Sequence, residues 1–493
     1  MNIVFITPAS ALRRLKLYRL GGRFYGHPNA ITGPLILGGI LKQAGHHVEV
    51  YEELYGAAPI GRLMQDTDVF CFYTMTSTAP RAYELAQIVR ANTDAKIIIG
   101  GIHASALPME AAKYADHVIA GEGESVILDV VEGRRKEPVV YTEPPKNLDE
   151  LPLPDYSILK TPCDCANVMT TRGCTYRCTF CTTSRMFAPY RQRSVESVLK
   201  EIRLYKEMGF RYMNFEDDNF TADKERAKEI CRGMIRENLI FKETFFFGRT
   251  DMAEDEELME LLQRAHLNRV LIGIESLNQN ALDEIHKGQE RNDIERAAKS
   301  CRQHKIRLIA SIVLGIDADT KEDIRKAVDF AAKIDAYQLQ PAVLTPYPNT
   351  PVYEQYKYEG RMLVPDWEQY DMMNVTFVPK HMSAWELQNE FYHAVEKFYA
   401  FFPSFRIGKL FGWGYGVRRI GLWFFAHAGA FGARVAANHV KNSFYYKLKH
   451  GVYEQMQGIA APVCYELERD GEKIAWRETL LDEKKTSEIS LHT

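Results

Sequence analysis

The chain has 493 residues, 46% hydrophobic and 26% charged, with a formal net charge of −3. That balance is globular, long enough for two or three domains with large cores. It excludes the strongly basic surface that nucleic acid as a main partner calls for.

Residues 1–135 alternate strands and helices. NIVFIT, HHVEVYE, DVFCFYTMTS and KIIIGG read as strands, and PLILGGILKQAG (34–45) and PRAYELAQIVRAN read as helices. Strands spaced by helices imply an α/β unit with a parallel sheet wrapped on both faces. Ligands in such sheets sit at the C-terminal strand ends, which here are residues 7–10, 74–78, 100–103 and 121–124. Residues 136–160 are rich in proline and acid and read as a linker. Residues 161–355 alternate again, with six strands and intervening helices. That pattern predicts a partial (β/α)6 barrel with its functional residues at the C-terminal strand ends. Residues 356–480 read as a mostly helical, aromatic-rich domain over the substrate, and the polar residues 481–493 as a disordered tail. The N-terminus, MNIVFITPAS, reads as a strand and not as the apolar region of a signal peptide. The nine cysteines, an odd number, are then expected as thiols or metal ligands in a reducing cytoplasm.

Three cysteines carry the chemistry: Cys174, Cys178 and Cys181, spaced C-x3-C-x2-C in TTRGCTYRCTFCTTSR. Three thiolates suit a [4Fe–4S] cluster, and without a fourth one iron stays open to a ligand. The competing reading is zinc, but a closed zinc site takes four ligands, commonly two C-x2-C pairs. Only one such pair occurs here, and no Cys or His cluster completes it nearby.

The spacing resembles the radical S-adenosylmethionine (radical SAM) superfamily. The resemblance implies that the open iron chelates S-adenosylmethionine, whose reductive cleavage yields a 5′-deoxyadenosyl radical. It implies further roles by position. Phe180 would pack beside adenine. One of Glu216, Asp217 and Asp218, in NFEDDNF, would grip the methionine amino group. Arg249, in FGRTD with Asp251, would hold the carboxylate. Glu275 and Ser276, in GIESLNQNALDEIHKG, would meet the ribose. Gly315, in IVLGI, would lie under adenine, and Tyr347, in TPYPNTPVY, would face the substrate. Read as residues alone, Phe180 is equally a core ring, the three acids a solvated turn, and Arg249 a structural ion pair.

The first part resembles the cobalamin-binding domain that often precedes a radical SAM domain. The residues that carry this are LKQAGHHVEVYE, the Ser/Thr-rich end of the third strand, IIIGGIHAS and IAGEGE. The resemblance places Ser77, Gly100, Gly101, Gly121 and Glu122 against the cofactor. The D-x-H-x-x-G motif that gives cobalt a histidine is absent after the first strand, so that mode of ligation is excluded. The alternative is a Rossmann-like domain that has lost its cofactor.

The domain order implies a cobalamin-dependent radical SAM methyltransferase acting on an unactivated carbon. A small-molecule, lipid or tetrapyrrole-like substrate is expected, with a low-potential electron donor such as flavodoxin or ferredoxin. The alternatives are an oxidative cyclase or carbon–carbon bond-forming enzyme without methyl transfer, and an iron–sulfur carrier or redox sensor. Cys163 and Cys165 read as inert buried thiols, and His103 as a hydrogen-bonded structural histidine. Residues 401–446 mix aromatics with basic residues, as an interfacial segment facing anionic lipid does; the other reading is a helical lid. The apolar run 420–433 is too short for a membrane span and is flanked by Arg418, Arg419 and Arg434.

Overall fold

The computed structural model describes residues 1–15, 27–364 and 366–452, and the backbone of the strands Cys464–Arg469 and Glu472–Arg477. The sequence-predicted tail, 481–493, lies outside the described residues.

Uninterrupted apolar runs such as NIVFIT and VFCFY suit strands covered on both faces. They form β1 (Asn2–Thr7), β2 (His47–Glu52), β3 (Val69–Tyr73), β4 (Lys96–Gly100), β5 (His117–Ala120) and β6 (Val139–Tyr141). All pairings are parallel, in the order β2-β1-β3-β4-β5-β6. The order reverses between β1 and β3, which opens a crevice at their C-terminal ends. β6 falls inside residues 136–160, read from sequence as linker. The short apolar run Val139–Val140 is enough to add an edge strand to β5.

The second sheet contains β7 (Cys165–Val168), β10 (Tyr212–Phe215), β11 (Glu243–Gly248), β12 (Arg269–Glu275), β13 (Arg307–Leu314) and β14 (Gln338–Val343). It too is all parallel, in sequential order, with β7 and β14 at its edges: an open half-barrel. β8 (Thr171–Arg172) and β9 (Arg191–Gln192) form a small antiparallel ladder beyond the end of β7. The barrel helices start sharply because Ser194, Asp223, Asp255 and Thr320 each accept a backbone N–H at the helix N-cap.

One apolar core runs through both sheets, from Phe5, Val48 and Val50 through Ile158 to Ala166, Val168 and Met213. A second, separate core covers the outer face of the first sheet, around Ile6, Phe70 and Ile99. The C-terminal part closes the open edge. The helix Ala384–Phe398 packs on β14, and the Tyr399 hydroxyl donates to Leu339 O (3.0 Å) and accepts from Leu339 N (3.2 Å). That occupies backbone groups an edge strand leaves bare. The helices Phe401–Phe411, Trp413–His439 and Phe444–His450 follow. The region read as helical also holds an antiparallel hairpin, Cys464–Arg469 with Glu472–Arg477.

Candidate active site

The three cysteines lie on the loop between β8 and the short helix Thr183–Met186, beyond the C-terminal end of β7. Gly173 lets the loop start. Its φ is +83°, and a Cβ there would sit 2.6 Å from Phe187 O. The loop is then tied down from several sides. Arg185 donates to the carbonyls of Cys178 (3.2 Å) and Cys181 (3.1 Å). Thr179 N donates to Ile285 O, and Val352 N to Thr179 O, so the PYPNTP turn rests on the loop.

Burial pushes the Cys174 and Cys178 thiols upward, and Lys287 and Arg249 pull Cys178 back down. Arg249 is buried, stacks 3.6 Å from the Tyr176 ring centroid, and donates to Lys287 O at 2.6 Å. It therefore grips the cysteine loop itself. Lys287 Nζ meets Glu275 at 2.6 Å, both groups nearly out of solvent. Gly273 leaves room for this pair, since a Cβ there would displace both charged ends.

The acids of NFEDDNF part ways. Asp217 is fully buried and accepts from Thr170 N (2.6 Å), Thr171 N (2.8 Å) and Thr170 Oγ1 (2.5 Å), so it pins the strand end. Glu216 accepts from Asn167 Nδ2 (2.6 Å) and from the Thr32 hydroxyl of the first domain. Burial pushes it up to about 7. Asp218 is exposed in the mouth of the barrel, where the protein around it still pushes it up to about 6; it faces Thr183 and Cys174. Of the three, it is the one open to a ligand.

The other expected positions are engaged with the protein. Ser276 donates to Asp319 (2.9 Å), which burial pushes up to about 7. Phe180 is half-buried against the core. Gly315 has φ +92°, and a Cβ there would lie 2.6 Å from Leu387. Tyr347 is partly buried against the core, and burial raises its hydroxyl. Asp251 is half-buried, and its carboxylate oxygen Oδ1 is enclosed without a hydrogen-bond partner. Cys163 and Cys165 stand at the N-terminal end of β7, away from the loop at its other end. Burial pushes the Cys163 thiol up to about 12 and raises Cys165 as well.

At the first sheet, Ser77 is half-buried in the turn Thr76–Thr78 after β3. Gly101 has φ +100°, and a Cβ would lie 2.6 Å from Thr74 O, so the glycine serves a crossing of β3 and β4. Gly100 keeps an ordinary backbone beside Ile119, and Gly121 lies hard against Thr142. Glu122 differs from its expected role. It is buried between Arg172 and Arg191, while Glu124 takes the second arm of Arg172 at 2.6 Å. Two acids of the first domain thus clamp the residue two before Cys174. His103 is fully buried, bonded to Glu110 (3.2 Å) and edge-on to Trp367.

Two family models match: the radical SAM superfamily over residues 168–331 and the B12-binding domain over residues 23–131. This is a radical SAM enzyme with a cobalamin-binding domain.

It is similar to an uncharacterised methyltransferase of Pyrococcus horikoshii, 28% identical over 68% of the chain and 79% of the relative. It also resembles the bacteriochlorophyllide d C-12(1)-methyltransferase of Chlorobaculum tepidum, 29% identical over 66% and 73%. A third relative is the anaerobic magnesium-protoporphyrin IX monomethyl ester cyclase of Synechocystis, 25% identical over 72% and 78%. Its fold matches that of the radical SAM methyltransferase TsrM of Kitasatospora setae, solved with cobalamin and a [4Fe–4S] cluster bound. That match has a TM-score of 0.62 at 16% identity and covers 87% of this chain and 99% of TsrM.

The enzyme's cofactors are a [4Fe–4S] cluster, S-adenosylmethionine and cobalamin, and the charge around the cysteine loop suits the cluster. Three thiols under a cationic rim of Arg185, Arg249 and Lys287 suit an anionic cluster. Sequence reasoning missed Lys287, Arg185, Thr32 and Glu52, the last a buried acid at the end of β2 that accepts from Thr7 Oγ1 (3.1 Å) and Ile31 N (2.9 Å). Lys287 stands in the HKG end of GIESLNQNALDEIHKG, and Arg185 comes four residues after Cys181, so both lay beside recognised signals. Glu52 and Thr32 carried none.

Proposed function

We propose that this enzyme transfers a methyl group to an unactivated carbon of a hydrophobic substrate, lipid or tetrapyrrole-like in character. The observation that carries this is the meeting of the two domains at the C-terminal ends of their sheets. Asn167 donates to Ala30 O at 2.8 Å, the Thr32 hydroxyl to Glu216, and Arg172 to Glu122 and Glu124. The edge suited to the corrin and the edge suited to S-adenosylmethionine then border one interface. When bound, the cluster and S-adenosylmethionine supply hydrogen-abstracting power, and the corrin supplies the methyl group.

The chain's own residues do the rest. Cys174, Cys178 and Cys181 hold the cluster, and Asp218 holds the methionine amino group. Arg249, Lys287 and Glu275 fix the loop and balance its charge. Electrons come from a low-potential donor such as flavodoxin or ferredoxin. The relatives that act on bacteriochlorophyllides support a flat, apolar substrate.

A second reading is oxidative cyclisation, favoured by the similarity to the protoporphyrin ester cyclases. Product mass separates the two. The holoenzyme is incubated anaerobically with S-adenosylmethionine, a reductant and apolar extracts or porphyrin esters. A product gaining one CH2, with formation of 5′-deoxyadenosine, is the expected result. A product that loses hydrogen without gaining carbon overturns methyl transfer in favour of cyclisation.

A further inference from the structure

The helix Trp413–His439 is apolar on two faces. One face packs on the enzyme through Gly416, Arg419, Ala430, Ala433 and Ala437. The opposite face carries Trp413, Val417, Phe424, Phe431 and Val435, spaced to form one stripe about 33 Å long. These side chains are exposed: Trp413 58%, Phe424 63%, Phe431 70%. The neighbouring helix extends the patch with Phe401, Phe402 and Phe405, and Phe405 meets Trp413 edge-on at 5.1 Å. A soluble helix has no reason to bare its widest rings.

The charged residues of this segment have one sign, although Arg406 and Arg434 pair with Asp335 and Glu396 of neighbouring elements. Residues 401–452 hold eight lysines and arginines and no aspartate or glutamate. Lys409, Arg418 and Lys441 are exposed beside the apolar residues. Exposed cations on the helices that carry an aromatic stripe complement a negatively charged lipid surface.

The helix is long and apolar enough to cross a membrane by length and composition alone. The sequence reading took only residues 420–433 as its apolar part; the glycines and alanines on either side extend the helix in both directions. Its packed face decides against crossing. Buried Arg419 donates to the carbonyls of Tyr337 (2.5 Å) and Phe398 (2.8 Å), and Arg434 pairs with Glu396 at 3.0 Å. A helix moved into the bilayer would strip both arginines of these partners. Trp423, by contrast, is half-buried against the core, its ring tilted on His427 at 4.2 Å.

We propose that the helices Phe401–Phe411 and Trp413–His439 form a docking surface that rests this enzyme on an anionic lipid bilayer without crossing it. The longer helix packs on the helix Ala384–Phe398, which in turn covers β14. It starts near Tyr337 at the N-terminal end of the strand. Beyond its end, Tyr445 bonds to Asn374 near Val343, at the barrel's functional end. A bilayer there lies outside the helix Ala384–Phe398, which covers the edge strand of the half-barrel. The surface does not depend on which reaction the site performs.

The test is co-sedimentation of the anaerobically purified holoenzyme with phosphatidylglycerol–phosphatidylcholine vesicles. Binding is expected that weakens with salt and is lost on pure phosphatidylcholine. A Trp413→Ser, Phe424→Ser, Phe431→Ser variant should partition about tenfold less with unchanged iron content, and so should a Lys409→Glu, Lys441→Glu variant. Failure of the wild-type protein to sediment with phosphatidylglycerol, or equal binding by both variants, overturns the proposal. So does a concentration-dependent dimer abolished by the serine substitutions, which would assign the stripe to a second copy of the chain.

Discussion

Three adjacent acids, Glu216, Asp217 and Asp218, have three different partners. Asp218→Asn should weaken S-adenosylmethionine binding at least about tenfold, as seen by equilibrium dialysis, while iron content holds. Asp217→Asn should instead cost about 1–3 kcal/mol of stability through its three lost acceptor contacts. Glu216 and Glu52 predict a pH effect. Burial raises them to about 7 and about 8, from 4.5. A carboxyl raised on folding binds its proton more tightly in the folded state. Its stabilisation is therefore complete below the unfolded value and is lost as pH rises through the folded one. The melting temperature should fall between about pH 5 and pH 9, and Glu216→Gln should flatten that fall, measured by scanning fluorimetry across pH. Lys287→Met leaves Glu275 buried without a counter-charge and should cost about 3–5 kcal/mol in denaturant unfolding. Adding Glu275→Gln should restore part of it.

Between elements, the Glu122–Arg172–Arg191 group with Glu124 is a buried network joining the loop after β5 to the ladder β8–β9. Arg172→Ala should cost about 3 kcal/mol, because Glu124 would lose its guanidinium partner and Glu122 would keep only Arg191. The double variant with Glu122→Gln should lose less than the sum of the single variants, which a thermodynamic cycle measures. The strands, helices and cysteine loop were legible in the sequence because each is a local pattern: an apolar run, a capped amphipathic stretch, a fixed cysteine spacing. Glu122 read as a cofactor contact because IAGEGE ends a strand where ligands sit. Its guanidinium partners are 50 and 69 residues away, beyond any local pattern. β6 was missed for a related reason, since Val139–Tyr141 is a strand only because β5 offers it an edge.

Across the molecule, two parallel sheets share one core and face each other through Thr32, Glu216 and Asn167. Because the cobalamin domain packs on the barrel, cobalamin bound at 100 times its dissociation constant should add about 2.7 kcal/mol to the stability of the whole unit. Differential scanning calorimetry should show one cooperative transition moving upward. Metal analysis after anaerobic purification with cobalamin should give about four irons and one cobalt per chain. Iron without cobalt would leave the radical domain in place and remove the ground for methyl transfer.

The sequence alone determined the two α/β units and the C-x3-C-x2-C spacing, since periodicity and spacing are written along the chain, and its resemblance to known families implied the cofactors. Only the tertiary structure decided which of the three acids stays open, which glycines serve the fold, and that Arg249 grips the loop beside Tyr176. It also decided which face of the helix Trp413–His439 is bare. These outcomes depend on burial and on partners distant in sequence, and burial exists only once the sheets and helices have packed.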